Sequence, residues 1–477
     1  MDWLFKSNIL YYKIMDENVA QELQETELTQ EPASANGSAK KKIISLIVGL
    51  FIIVTLAVLA IVFILPMFQN KGVQEVELVY WGTWEDPQAF REIIDEFRKL
   101  HPNINIKYER QDLRGLGKYI DRLSTRIENG TGPDIFRYHN SWLPQLIRPS
   151  PLLLPFPSDV VNALEMDKFY KVVQEDLKAG GAYYGVPIQF DTLALFVNVQ
   201  SFAAAGIAEY PSTWDDLGSA ARKLTVKDSE GRIISSGVAL GTYDNIAHAS
   251  DIISLLLIQN GADLLDLNGE SKQNAYDAFD FYTSFAKGDA KVWDDTLDNS
   301  KLAFAKGNLA MYFGYSWDIF IIKALNPNLE FAVVPVPSLP SRNATIASYW
   351  VEGVSSRTKF SKEAFEFLKF LARRETMEKM YSKEARVRLF GSLYPRSDMA
   401  DLLKTNTLIY PFVAQGEIAV STIFSSDTHD DAMVKSLNSY LGNAVRAIIN
   451  ENSSPQSAVE TLAAGVSQVL SKYAVGQ

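Results

Sequence analysis

The chain has 477 residues, with 57 acidic against 46 basic side chains and a formal charge of −11, a balance that argues against the basic face a nucleic-acid binder needs. It contains no cysteine. No disulfide can staple the chain, so a large apolar core has to hold the fold. The 47% hydrophobic content, with 8 Trp, 21 Tyr and 26 Phe, supplies that core.

In chain order, residues 1–39 are polar and acidic and read as a flexible cytoplasmic tail. Residues 43–65, IISLIVGLFIIVTLAVLAIVFIL, carry no charge and no proline. They are long enough to cross a bilayer as a helix, and residues 40–68 are expected to form a transmembrane signal anchor, with 69–75 as a linker. Lys40, Lys41 and Lys42 precede the run and Lys71 alone follows it closely. The positive-inside rule then leaves the N-terminus in the cytoplasm and exports the large domain. No small-residue cleavage site follows the run, and the absence of cysteine excludes a lipid-modified cysteine. A long cleaved signal is the alternative.

Past the linker the pattern becomes α/β. Val76 to Trp81 is β-rich and stops at Gly82. Asp86-Pro87 supplies an N-cap and a proline at the first helical position, and Phe90, Ile93, Ile94, Phe97 and Leu100 follow helical spacing. Ile104, Ile106 and Tyr108 alternate as a second strand. A helix is predicted from about Gly117 to Glu128, and Asp134 to Tyr138 reads as a third strand. This β-α-β-α-β order builds a parallel sheet with right-handed crossovers.

Ligands bind beyond the carboxyl ends of such strands. The first strand runs into Trp81-Gly82-Thr83-Trp84-Glu85 and the third into Tyr138-His139-Asn140-Ser141-Trp142. Flat rings beside hydrogen-bonding groups suit a sugar, with its CH-rich faces and hydroxyl rim. The competing reading makes Trp81 and Tyr138 core residues at strand ends. Further on, Thr213-x-x-Asp216 has capping-box spacing, which explains Asp215 and Asp216 as helix-start charges rather than a catalytic pair.

No catalytic, cofactor or metal residue is assigned. His101, His139, His248 and His429 lie far apart in sequence, and no metalloprotease or serine-hydrolase signature is present. The acid pairs Glu85-Asp86, Asp294-Asp295 and Asp430-Asp431 sit in capping or surface contexts. A glycosidase with two separated carboxylates stays open as an alternative.

Several segments, taken together and in order, resemble extracellular solute-binding proteins of the maltose-binding type. They are Asn129 to Phe136 (NGTGPDIF), Tyr184 to Asn198 (YGVPIQFDTLALFVN), Pro211 to Leu217 (PSTWDDL), Phe304 to Met311 (FAKGNLAM) followed by Gly314 to Trp317 (GYSW), Pro335 to Pro337, and Lys362 to Leu368 (KEAFEFL). The resemblance covers most of residues 75–477. It implies an α/β, two-lobe, type II periplasmic-binding-protein-like fold, with lobe 1 at 76–190 and 352–397 and lobe 2 at 191–351 and 398–477. Hinges are expected near Gln189 to Thr192 and Tyr349 to Gly353. The ligand contacts it implies are Trp81, Trp84, Glu85, Tyr138, Asn140, Trp142, Gln189, Asp191, Tyr315, Trp317, Trp350 and Glu352.

The implied function is a non-enzymatic receptor that captures a small solute, a sugar or oligosaccharide, and delivers it to the permease subunits of an ABC importer with a separate ATPase. The alternative is a sensing ectodomain partnered with a membrane signalling protein. The sequence departs from the maltose-binding pattern where Ser141 and Trp142 stand in place of Asp-Arg. The fold therefore transfers better than the ligand.

Overall fold

Two five-stranded sheets organise the chain. In the computed structural model the described residues are 51, 53–55, 58, 75–85, 87–112, 118–148, 150–339 and 342–473. The expected anchor at 40–68 falls outside them except for Phe51, Ile53 to Thr55 and Val58, which are helical. The tail at 1–39 and nearly all of the linker also lie outside. Among the described residues no helix is long and apolar enough to cross a membrane. The chain divides into Met1–Gln74 and Glu75–Gln477, and the second unit contains both sheets.

The first sheet begins with β1 (Val76–Gly82) and β2 (Ile104–Arg110), parallel and in register from Val76 opposite Ile104 to Gly82 opposite Arg110. The helix between them, Pro87–Leu100, buries Phe90, Ile93 and Phe97. β3 (Ile135–His139) lies parallel to β1 on its other side. It begins one residue later than the sequence suggests and includes His139. The second helix is Tyr119–Glu128, burying Tyr119, Leu123 and Ile127.

A short hairpin of β4 (Lys178–Ala179) and β5 (Ala182–Tyr183) leads to β6 (Val186–Pro187). The chain then crosses to a second sheet. β7 (Ala194–Asn198), fully buried, lies between β10 (Leu309–Gly314) and β11 (Phe331–Val334) and is antiparallel to both. β9 (Ile233–Val238) runs parallel to β10, and β8 (Val226–Lys227) closes the edge. The helix Trp214–Leu224 starts as its sequence dictates, with Thr213 Oγ1 accepting from the Asp216 N–H at 3.1 Å.

β12 (Thr345–Ile346) pairs with β14 (Ala419–Val420), and β13 (Trp350–Val354) returns to the first sheet. It lies antiparallel between β3 and β6. The second crossing therefore lies at 347–349, upstream of the expected Tyr349 to Gly353, because residues 350–354 are held in ladder register with β3. Helices Ser361–Leu371 and Arg374–Glu384 pack on the first sheet side. Helices Met433–Asn450 and Pro455–Lys472 pack on each other and on Lys272–Ser284.

Strand direction positions the site. β13 is antiparallel to β3, so Trp350 opposes His139 at the edge where β1 and β3 end. In the second sheet Gly314, the end of β10, opposes Ala194, the start of β7. The segment Tyr315–Trp317 thus emerges beside the first crossing. Gly82 and Gly314 are required by close approach, since a Cβ would meet Tyr108 at 2.3 Å and Tyr312 at 2.5 Å respectively.

Candidate functional site

A cavity of about 510 Å³ opens between the two sheets' edges. One wall comes from the first sheet: Trp84, just beyond β1, and Trp350, at the start of β13. Their rings meet edge to face at 5.1 Å, and the Trp84 indole N–H donates to Gln189 Oε1 at 3.1 Å. The floor is the pair of crossings, Gln189 to Asp191 and Ser348 to Tyr349. The opposite wall is Lys301, Ser316, Trp317 and Phe320, with Asp427 and His429. The residues Arg388 and Phe390 to Leu393 complete the rim. Phe320 stacks on Phe390 at 4.5 Å, and the Arg388 guanidinium lies 5.4 Å from the Phe320 ring.

Trp317 is presented by local structure. It is the second residue of the helix Ser316–Leu325, and Asp318 reaches back to accept from the Tyr315 N–H at 3.2 Å. The Tyr315 ring stacks on Trp317 at 4.3 Å and 12°. Below them Asp318 accepts from His248 Nε2 at 2.8 Å and the Tyr312 hydroxyl at 2.9 Å, and pairs with Lys301 Nζ at 2.6 Å.

Burial works against charge on both His248 and Asp318, yet their mutual attraction outweighs it. The His248 pKa is raised and that of Asp318 is held well below the usual carboxylate range. The 425–430 loop is fixed by Ser426, whose N–H and hydroxyl both reach Asp251. It carries Asp427 and His429 at positive φ, 52° and 56°. Non-glycine residues held in that region collect at functional sites.

Asp191 sits in the floor. Its carboxylate accepts from the Ser316 N–H at 3.0 Å and from the Ser316 hydroxyl, and from its neighbour Thr192 N–H at 2.9 Å. Burial raises its pKa well above the ordinary value, only partly offset by the Ser316 hydrogen bonds.

Of the residues expected at the site, the structure brings Trp84, Gln189, Asp191, Trp317 and Trp350 together around the cavity. Tyr315 lies behind Trp317 rather than on the surface. The others correct the sequence reading. Trp81 is buried within β1, packed on Tyr119, with its indole N–H donating to Glu109 at 2.9 Å. Tyr138 and Trp142 are fully buried core residues, Trp142 packing behind Trp350 at 5.2 Å. Glu85 and Glu352 are buried partners of Arg137. Asn140 lies in a separate pocket, where it donates to Asp176 at 3.0 Å and Ser421 at 3.0 Å.

Sequence reading missed Lys301, Phe320, Ser348, Tyr349, Arg388, Asp427 and His429. For Asp427 and His429 the polar run Ser425 to Asp431 was a visible signal, but nothing local points it at the cleft.

The contact between Ser426 and His248 is not arranged as a nucleophile and its base. Ser426, His248 and Asp318 form a hydrogen-bonded chain, His248 Nδ1 lying 2.7 Å from the Ser426 hydroxyl. A serine nucleophile would need a neutral histidine to take its proton. Here His248 is favoured in its charged form by Asp318, and the Ser426 hydroxyl is committed to Asp251. Among the described residues no cluster of His, Asp and Glu could hold a metal ion.

An uncharacterized ABC transporter extracellular-binding protein of Pyrococcus horikoshii is 26% identical over 418 residues, covering 80% of this chain and 88% of its own length. The solved structure of a cyclo/maltodextrin-binding protein complexed with maltotetraose superposes with a TM-score of 0.68 at 18% identity, covering 84% of this chain and 99% of that one. That of a sugar-binding protein from the phytopathogen Xanthomonas citri also gives 0.68 at 18% identity, covering 83% and 98%. These likenesses carry the two-lobe, periplasmic-binding-protein-like fold. The family profile described as bacterial extracellular solute-binding protein matches residues 81–378, and the chain belongs to that family.

Proposed function

We propose that this protein is a membrane-anchored receptor that captures a sugar or oligosaccharide between its lobes and delivers it to an ABC importer. The observation that carries the reading is the pair of aromatic walls: Trp84 and Trp350 on one side and Trp317 on the other, lining one cavity of about 510 Å³ with polar groups between them. Trp84 and Trp317 are only partly buried, so ring surface is left for a ligand. A volume in this range accommodates a small solute with most of its surface covered. The related binding proteins named for maltodextrin and sugar support the same ligand class.

Residues 76–190 and 350–397 would form one lobe and 191–346 and 398–477 the other, rotating about the crossings near Gln189 to Thr192 and 347–349. A solute touching both walls favours the closed form by its differential affinity. The closed outline is what a permease would read, so transport needs no chemistry in this chain. The uncharged run at 43–65 behind Lys40 to Lys42 supports an uncleaved, single-pass anchor with the N-terminus in the cytoplasm.

A thermal-shift screen of residues 75–477 against di-, tri- and tetrasaccharides, amino acids and polyamines tests the ligand class. At least one should raise the melting temperature in a saturable way. A response confined to amino acids or polyamines would replace the sugar reading. For the anchor, full-length protein should stay in the membrane after a carbonate wash. Recovery of a soluble form beginning near Gln69 would show cleavage instead.

A further inference from the structure

We propose that Arg137 is the positioning residue of the Trp84–Trp350 wall, setting the ring geometry on which the cleft's selectivity depends. This assigns a role within the binding reading given above.

Arg137 is on β3, fully buried, and does not line the cavity. Its Nη1 donates to Thr83 Oγ1 at 3.1 Å and to a carboxylate oxygen of Glu85. The two residues flanking Trp84 are thus tied to one nitrogen atom. The guanidinium carbon lies 5.3 Å from the Trp84 ring centroid, within cation–π range. On the other side Nε donates to Glu352 Oε1 at 2.7 Å, and Nη2 reaches the same oxygen at 2.5 Å and the Tyr80 hydroxyl at 3.2 Å. All three nitrogens of the fork donate to a partner.

Glu352 is two residues beyond Trp350 on β13, so the two side chains share a face of the strand. Trp350 in turn meets Trp84 edge to face. Both rings of the wall therefore hang from groups bound to one rigid planar cation. A lysine, a flexible point charge, cannot reproduce that fork.

The cluster is not explained by stability alone. Fully buried ion pairs are often matched or bettered by apolar residues of equal volume. This one carries a second carboxylate, and Glu352 Oε2 is buried with no partner. Burial, against the opposing pull of Arg137, raises the Glu352 pKa, while Arg137 and Tyr108 keep Glu85 low.

The test uses ¹⁹F NMR of the full chain labelled with 5-fluorotryptophan, with lines assigned by single Trp→Phe variants. In Arg137→Lys the Trp84 and Trp350 lines should shift or broaden at least twofold, while those of Trp317 and Trp293 stay in place. A charge-neutral variant, Arg137→Met with Glu85→Gln and Glu352→Gln, should displace the same two lines even if the lysine variant folds poorly. Unmoved Trp84 and Trp350 lines in either folded variant overturn the proposal, as does a shift spread equally over all tryptophans in both. Failure of the binding reading is distinct: the parent chain would bind no maltotetraose or mannobiose while its Trp84 line still responded to Arg137→Lys.

Discussion

Asp191 and Ser316 join the first crossing to the second wall of the cleft. The Asp191 carboxylate accepts from both the backbone N–H and the hydroxyl of Ser316, at the first turn of the helix that carries Trp317. A carboxylate there also meets the positive end of the helix dipole. Asp191→Ala strips the buried Ser316 N–H of its acceptor and should cost about 1–3 kcal/mol of stability. Asp191→Asn keeps an acceptor oxygen and should cost less. Urea unfolding of the two variants checks the order; equal losses would mean the contact contributes only volume.

Two tryptophans close to the expected site separate packing from binding. Trp81→Ala should destabilise the fold by about 3–5 kcal/mol, as large aromatic truncations in cores do, with affinity per folded molecule unchanged. Trp317→Ala should leave folding nearly intact and remove about 2 kcal/mol or more of oligosaccharide binding. Calorimetric titration beside thermal unfolding reads both effects, and a reversed pattern would exchange the roles given to these residues.

At the rim of the cleft Phe320 stacks on Phe390. Such a ring pair contributes about 0.5–1.5 kcal/mol beyond its buried area. Phe320→Ala should therefore shift the ligand-free protein toward an open form, with a larger radius of gyration by small-angle scattering. An unchanged radius would assign closure to other contacts.

Acid should weaken the fold through His139. Burial lowers its pKa from 6.5 to about 3, helped by the nearby His429. Its Nδ1 accepts from the Ser141 N–H at 3.3 Å, and Nε2 lies 3.0 Å from the Ser348 hydroxyl. The unfolded chain binds this proton below about pH 6.5 and the folded chain does not. The contribution is fully present above pH 6.5 and is lost as pH falls toward 3, by at most about 1.4 kcal/mol per unit. Urea midpoints measured from pH 8 to pH 4.5 should fall below pH 6.5, and less steeply in His139→Asn. Equal slopes would place the acid sensitivity elsewhere.

The sequence reads clearly wherever the signal is local. β1, the helix after it and the Thr213 cap each follow from a few neighbouring residues. The choice between Trp81 and Trp84 does not. β1 is flanked by β2 and β3 in the sheet and is buried on both faces at Tyr80 and Trp81, so alternation there gives no inward or outward sense. Only the end of the ladder at Gly82 decides which indole leaves the sheet. Arg137 looked like an ordinary strand residue because its partners Glu85 and Glu352 are distant in the chain. Lys301, Arg388 and His429 reach the cleft through tertiary folding that no spacing encodes.

The central claim is that the inter-lobe cleft captures a small sugar, and calorimetric titration of residues 75–477 with gluco- and manno-oligosaccharides tests it most directly. The account predicts saturable binding of at least one of them, lost when Trp84→Ala and Trp317→Ala are combined in a folded protein. Binding that persists unchanged in that double variant, or the absence of binding across the whole series, would contradict it.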